Sequence, residues 1–106
     1  IKAHVVIGEN EQAIKTVAGN PNAIGYVSIG TAEYDAREGI AIKLMACNGV
    51  PATLENVKNE KFPLARPLNL VVKKEPEGNV KAFIDFALSK EANPSIKEQF
   101  FVPIKD

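Results

Sequence analysis

Hydrophobic positions along this chain switch between unbroken runs of strand length and stripes at helical spacing. Residues 1–7 are apolar and β-branched and predict an opening strand, ended by Gly8. Asn10 is then a credible N-cap. Ala13, Ile14, Val17 and Ala18 recur at the spacing that gives a helix one apolar stripe. Gly19 supplies a stop through the left-handed C-cap region, and Pro21 prevents continuation. Residues 23–29 are apolar with few breaks, as in a strand covered on both faces. Thr31 can cap a short helix through Arg37, closed by Gly39. Residues 40–47 predict a further strand, and Asn48-Gly49 a turn. Thr53 caps a helical segment over residues 54–57, and the polar residues 58–61 form a loop.

Pro63 and Pro67 bracket an extended segment, with a strand over residues 68–72 after Pro67. Glu75-Pro76-Glu77-Gly78 is a turn. Val80, Phe83, Ile84, Ala87 and Leu88 then make the cleanest helical stripe of the chain, which places Phe83 and Ile84 in the core. Pro94 opens a last helix at its first position, ending near Phe100. The apolar tail Phe101-Val102-Pro103-Ile104 must pack on something. Alternating strands and helices indicate an α/β architecture. The seam falls at Phe62-Pro63, dividing the chain into residues 1–62 and 63–106.

Composition narrows the function classes. The chain has 106 residues with 13 basic and 13 acidic side chains. That balance lacks the basic excess that supplies affinity for nucleic acid. No apolar run approaches the roughly 20 residues that cross a bilayer. Cys47 is the one cysteine, so an internal disulfide framework is excluded and a buried small hydrophobe is expected. The chain opens without Met, as a processed product or an excised piece does.

Candidate chemistry is sparse. His4 and Cys47 could form a nucleophilic pair, but no third residue is suggested to orient them. The acidic residues are dispersed as on solvated helix faces and do not make a metal cluster. Gly25 and Gly30 lack the third glycine of a dinucleotide fingerprint, and Gly25 suits close packing or an unusual dihedral. Tyr26 reads as core, and Arg66, between two prolines, as a solvated strand-entry residue. The helix opening at Asn10 could hold an anion through free N–H groups and its dipole. Glu9 and Glu11 flank it and already complement that dipole, so an ordinary capped helix remains the alternative.

Ala23-Ile24-Gly25-Tyr26-Val27, Phe62-Pro63-Leu64, the helix from Asn79 to Leu88 and Phe101-Val102-Pro103 together resemble the C-terminal part of the phosphate-type solute-binding proteins of ABC transporters. The resemblance covers nearly the whole chain. It implies part of a type II periplasmic-binding-protein-like fold. Residues 1–62 would be the C-terminal half of the second lobe, and residues 63–106 a return segment of the first. It further implies an extracytoplasmic, non-enzymatic, cofactor-free protein at the membrane through its importer, capturing phosphate for an ABC permease, with molybdate and tungstate as alternative anions. In the molybdate-type relatives a helix of this kind and the strand after it line the cleft. The matching positions are Asn10 and Ser28, which become the ligand-binding candidates. The Ser-Gly-Thr motif of the phosphate family is missing; Ile29-Gly30-Thr31 follows the strand motif and is not that site. The rival reading is a small self-associating or sensory domain of the same fold that binds no anion. Self-association into a homodimer is expected of the isolated chain.

Overall fold

The structure is a computed structural model and describes residues 2–105; Ile1, first residue of the expected opening strand, and Asp106 lie outside the described residues. The element order is α1 (Asn10–Ala18), α2 (Ile29–Arg37), α3 (Leu54–Lys58), α4 (Gly78–Ala87), a 3-10 turn (Lys90–Ala92) and α5 (Asn93–Glu98). Two compact units divide the chain, Ile1–Pro63 and Leu64–Asp106.

All the helices expected from periodicity are present, with shifted ends. In α1, Glu9 takes the cap position in extended backbone, and Asn10 becomes the first helical residue. Glu11 in the first turn and Lys15 in the last suit the helix dipole. Gly19 is not left-handed: its φ is −84° and its N–H donates to the Lys15 carbonyl at 3.0 Å. What glycine permits there is a close approach, since a Cβ would lie 3.3 Å from that carbonyl oxygen. The chain is turned instead by Asn20, whose Oδ1 accepts from the Asn22 N–H at 2.9 Å, an Asx-turn. Ser28, not Thr31, occupies the cap position of α2, so this helix starts within the run read as a strand.

Three helices stop in the same way. After α2 the Ile40 N–H reaches the Asp35 carbonyl and the Gly39 N–H that of Ala36. After α3 the pairs are Lys61 to Asn56 and Glu60 to Val57, and after α5 Phe101 to Ile96 and Phe100 to Lys97. This is the Schellman pattern, which needs a left-handed residue just past the helix. That residue is Gly39 (φ +94°), Glu60 (φ +58°) and Phe100 (φ +63°) in turn. Only the first is a residue that adopts such a φ without strain.

The strands are where expectation and structure part. Among the described residues none of the runs 1–7, 23–29, 40–47 and 68–72 pairs with another, and the alternating α/β sheet does not form. The single bridge is antiparallel, Cys47 with Val50, across the Asn48-Gly49 turn, where φ is +51° and +77°. Both backbone bonds of that bridge are 2.9 Å. The physical reason is that β-branched runs are stabilised by neighbours on a pleated, covered surface, not by themselves. Parallel strands moreover need partners delivered by crossovers, and no partner reaches these runs. Many of their side chains are accordingly bare: Tyr26, read as core, is 94% exposed and Val71 88% exposed.

Burial is thin in both units. In the first, Ala13 and Ile14 of α1 and Gly30 and Ala32 of α2 are buried, Ile14 to 3% exposure. In the second the buried hydrophobic is Ala92. Helix α4 has no buried residue. Phe83, placed in the core by its periodicity, is 60% exposed, and Ile84 is half-buried. Of the tail, Phe101 and Ile104 stay exposed. Leu70, Val71 and Val72 share an open groove with Val80, Phe83 and Ile84 but leave the stripe without a buried residue; periodicity finds the apolar face but not what covers it.

Candidate functional site

The first unit brings the two ligand candidates together. Asn10 opens α1 and Ser28 caps α2, 18 positions further along the chain. The Asn10 Oδ1 accepts a hydrogen bond from the Ser28 backbone N–H at 3.2 Å. The donor is an N–H, so the amide oxygen of Asn10 must face it. The Nδ2 group is left pointing away as a further donor.

This bond clamps the start of one nine-residue helix to the start of another. Each first turn offers N–H groups with no partner inside the helix. The Ser28 side chain makes no capping bond, which leaves its hydroxyl available. Gly30, in the first turn of α2, is buried and brings no side chain over the peptide groups. Ile29-Gly30-Thr31, the look-alike of the missing motif, therefore forms a helix N-terminus. Two positive dipole ends side by side, with an amide and a hydroxyl between them, suit an anion. Glu9 and Glu11 stand at the start of α1 and are exposed, so their carboxylates oppose an anion on that side.

The elements that set this junction are ordered by short-range packing. A Cβ on Gly25 would lie 3.2 Å from the Val17 Cγ2. The glycine thus lets the backbone between the two helices run against the last turn of α1, the close packing expected of it. Behind α2, Glu33 links two elements. Its Oε2 accepts from the Leu54 N–H at the start of α3 at 2.9 Å, and its Oε1 meets Arg37 at 3.3 Å. Thr53 caps α3, its Oγ1 accepting from the Asn56 N–H at 3.1 Å. Sequence reading missed the Glu33 contact; a carboxylate facing outward on a short helix gives no signal of a partner 21 residues ahead.

The other candidates are not gathered here. Arg66 is exposed and belongs to the second unit. Cys47 is half-buried beside the Asn48-Gly49 turn. Among the described residues no three His, Cys, Asp or Glu side chains form a group that could hold a metal. Among the described residues no helix is long and apolar enough to cross a membrane.

Comparison with known proteins gives this arrangement a family. A Streptococcus agalactiae serotype V protein named phosphate-binding protein PstS 2 is 31% identical over 104 residues, 96% of this chain and 33% of the relative. The protein of that name from Streptococcus pneumoniae serotype 4 is 30% identical over 104 residues, 98% of this chain and 34% of its own. The phosphate-binding protein PstS of Borreliella burgdorferi is 29% identical over 102 residues, 95% of this chain and 36% of its own. The chain thus spans about a third of the length of these curated relatives. No solved structure gives a significant match. A family model described as a PBP superfamily domain matches residues 2–91, taking in both helices of the Asn10–Ser28 junction and all of α4. On that match the chain belongs to the PBP superfamily, the family of periplasmic-binding-protein-like folds.

Proposed function

We propose that this chain is part of an extracytoplasmic solute-binding protein that captures phosphate for an ABC importer. The observation that carries the reading is the similarity to proteins named phosphate-binding along 95–98% of this chain. The Asn10–Ser28 junction supports it with a helix-terminus geometry suited to an anion. Residues 1–62 belong to the second lobe of such a protein and residues 63–106 return to the first. The four apolar runs are strands of an alternating α/β sheet, completed by further polypeptide of the kind that the longer relatives contain. The protein works outside the cytoplasm, at the membrane through the importer's permease, without catalysis or cofactor. Asn10 and Ser28 contribute to anion contact, phosphate ahead of molybdate or tungstate.

Closing two lobes on an anion takes donors from both, and one junction alone holds an anion weakly. The 106-residue chain should therefore bind phosphate no better than millimolar. Titration followed by amide NMR tests both parts of the reading. Phosphate should shift the N–H signals of residues 10–12 and 28–31 first, and Ser28→Ala should blunt those shifts. Saturation at micromolar phosphate would overturn the shared-donor reading, and shifts confined to other residues would remove Asn10 and Ser28 from the site.

A further inference from the structure

We infer that Asn48 is a site of self-modification, at which the Gly49 backbone nitrogen attacks the Asn48 side-chain amide and converts that residue to aspartate and isoaspartate. Side-chain amides are thermolabile, and the residue that follows decides which asparagine reacts. Asn48 is the one of nine asparagines that precedes glycine. Glycine has no Cβ to crowd the attack and visits most of φ/ψ space. Asn20 and Asn93 precede proline, whose nitrogen has no proton to lose. Asn56, Asn69 and Asn79 precede branched side chains.

The fold leaves the reacting pair open. Asn48 and Gly49 are both exposed. Among the described residues neither the Asn48 side-chain amide nor the Gly49 N–H makes a hydrogen bond, while Cys47 and Val50 on either side bond to each other. A Cβ built on Gly49 would meet nothing within 4 Å, so no neighbouring element shields the nitrogen. Ring closure turns Asn48 out of its left-handed backbone (φ +51°), a conformation that asparagine visits at some steric cost. What holds it there is one isolated bridge with two bonds of 2.9 Å, and a turn held so lightly opens readily. The Gly49 nitrogen gives its proton to hydroxide and bonds to Asn48 Cγ. The Cγ–Nδ2 bond breaks, and the nitrogen leaves as ammonia with a proton from water. Water then opens the resulting cyclic imide. Cleavage at Cγ gives aspartate, and cleavage at the main-chain carbonyl gives isoaspartate. The balance is one water gained and one ammonia lost, with no oxidation. Isoaspartate adds a carbon to the main chain inside the turn, and the Cys47–Val50 bridge does not fit that longer path. The inference needs no anion and stands apart from the phosphate reading.

Peptide mapping by mass spectrometry, on the chain aged in buffer at neutral and mildly alkaline pH, tests it. The peptide carrying Asn48 should gain the mass that separates an acid from an amide before any other asparagine does. The gain should come faster at the higher pH, because the attacking nitrogen must lose its proton. An isoaspartate-specific methyltransferase should label the same peptide. Gly49→Ala should slow the conversion by an order of magnitude, since a methyl group then stands beside the nucleophile. A parallel sample in concentrated urea separates the turn from its bare sequence: conversion in buffer should stay within a few-fold of conversion in urea. An Asn48 that persists in buffer while it converts in urea would overturn the inference, because the turn would then be a protected one. So would an earlier conversion at another asparagine, or an unchanged rate in Gly49→Ala.

Discussion

Glu60 and Phe100 hold left-handed backbone that the helix-ending motif requires and that their own side chains disfavour. At Glu60 the strain is separable from packing, because the side chain is exposed. Replacing a left-handed L-residue by glycine removes about 1–2 kcal/mol of steric cost, offset in part by the extra freedom of glycine when unfolded. Glu60→Gly should therefore stabilise the first unit by about 0.5–1 kcal/mol, read as a higher urea midpoint of the helical signal. Gly25 is the opposite case. A Cβ there meets Val17 Cγ2 at 3.2 Å, and a helical valine has one strongly preferred rotamer with which to retreat. Gly25→Ala should cost about 1–3 kcal/mol by overpacking. Val17→Ala in the same chain should recover part of that loss, and strict additivity of the two changes in a denaturation cycle would show that the two residues do not press on each other.

At the scale of elements, what was legible in the sequence divides by range. Apolar stripes, Asn48-Gly49 and Thr53 all act within one turn of chain, and each helix or turn they signal is present. Ends were less legible. Ser28 displaced Thr31 as the cap of α2, and Glu60 stops α3 without the glycine that usually announces such a stop. Contacts over longer range left no trace in the pattern: Asn10 to Ser28 and Glu33 to Leu54. The same division weights two substitutions differently from what periodicity suggests. Helix α3 has five residues and no buried side chain, so its termini carry its stability. Thr53→Ala should cost about 1 kcal/mol. Phe83→Ala on the bare face of α4 should cost less than that in the chain as described, whereas a buried phenylalanine would cost about 3–5 kcal/mol. Urea denaturation of the two variants decides the order, and a larger loss at Phe83 would mean that α4 is covered in solution.

For the whole molecule, family membership and bare surface have to be read together. The PBP superfamily match extends over residues 2–91, yet among the described residues the buried hydrophobics number four, three of them alanine. The chain spans about a third of its relatives' length, and among the described residues its apolar runs have no strand partner in one another. The candidate site is affected less than the core, because Asn10 and Ser28 meet inside one unit. The NMR titration therefore reads anion contact at that junction within the first unit.

The backbone bonding has a kinetic consequence. Hydrogen bonds between backbone groups of the described residues reach no further than six positions, as from Phe62 to Asn56. Structure of this kind forms by helix growth and turn closure, events of nanoseconds to microseconds. It also opens quickly, since no distant pairing must be broken first. Slow steps in the life of this polypeptide belong to the recruitment of neighbours for residues 23–27 and 68–72. Amide hydrogen exchange would thus be fast even inside the helices until that recruitment occurs, and the time at which protection appears marks the arrival of the partner strand rather than the formation of the helices.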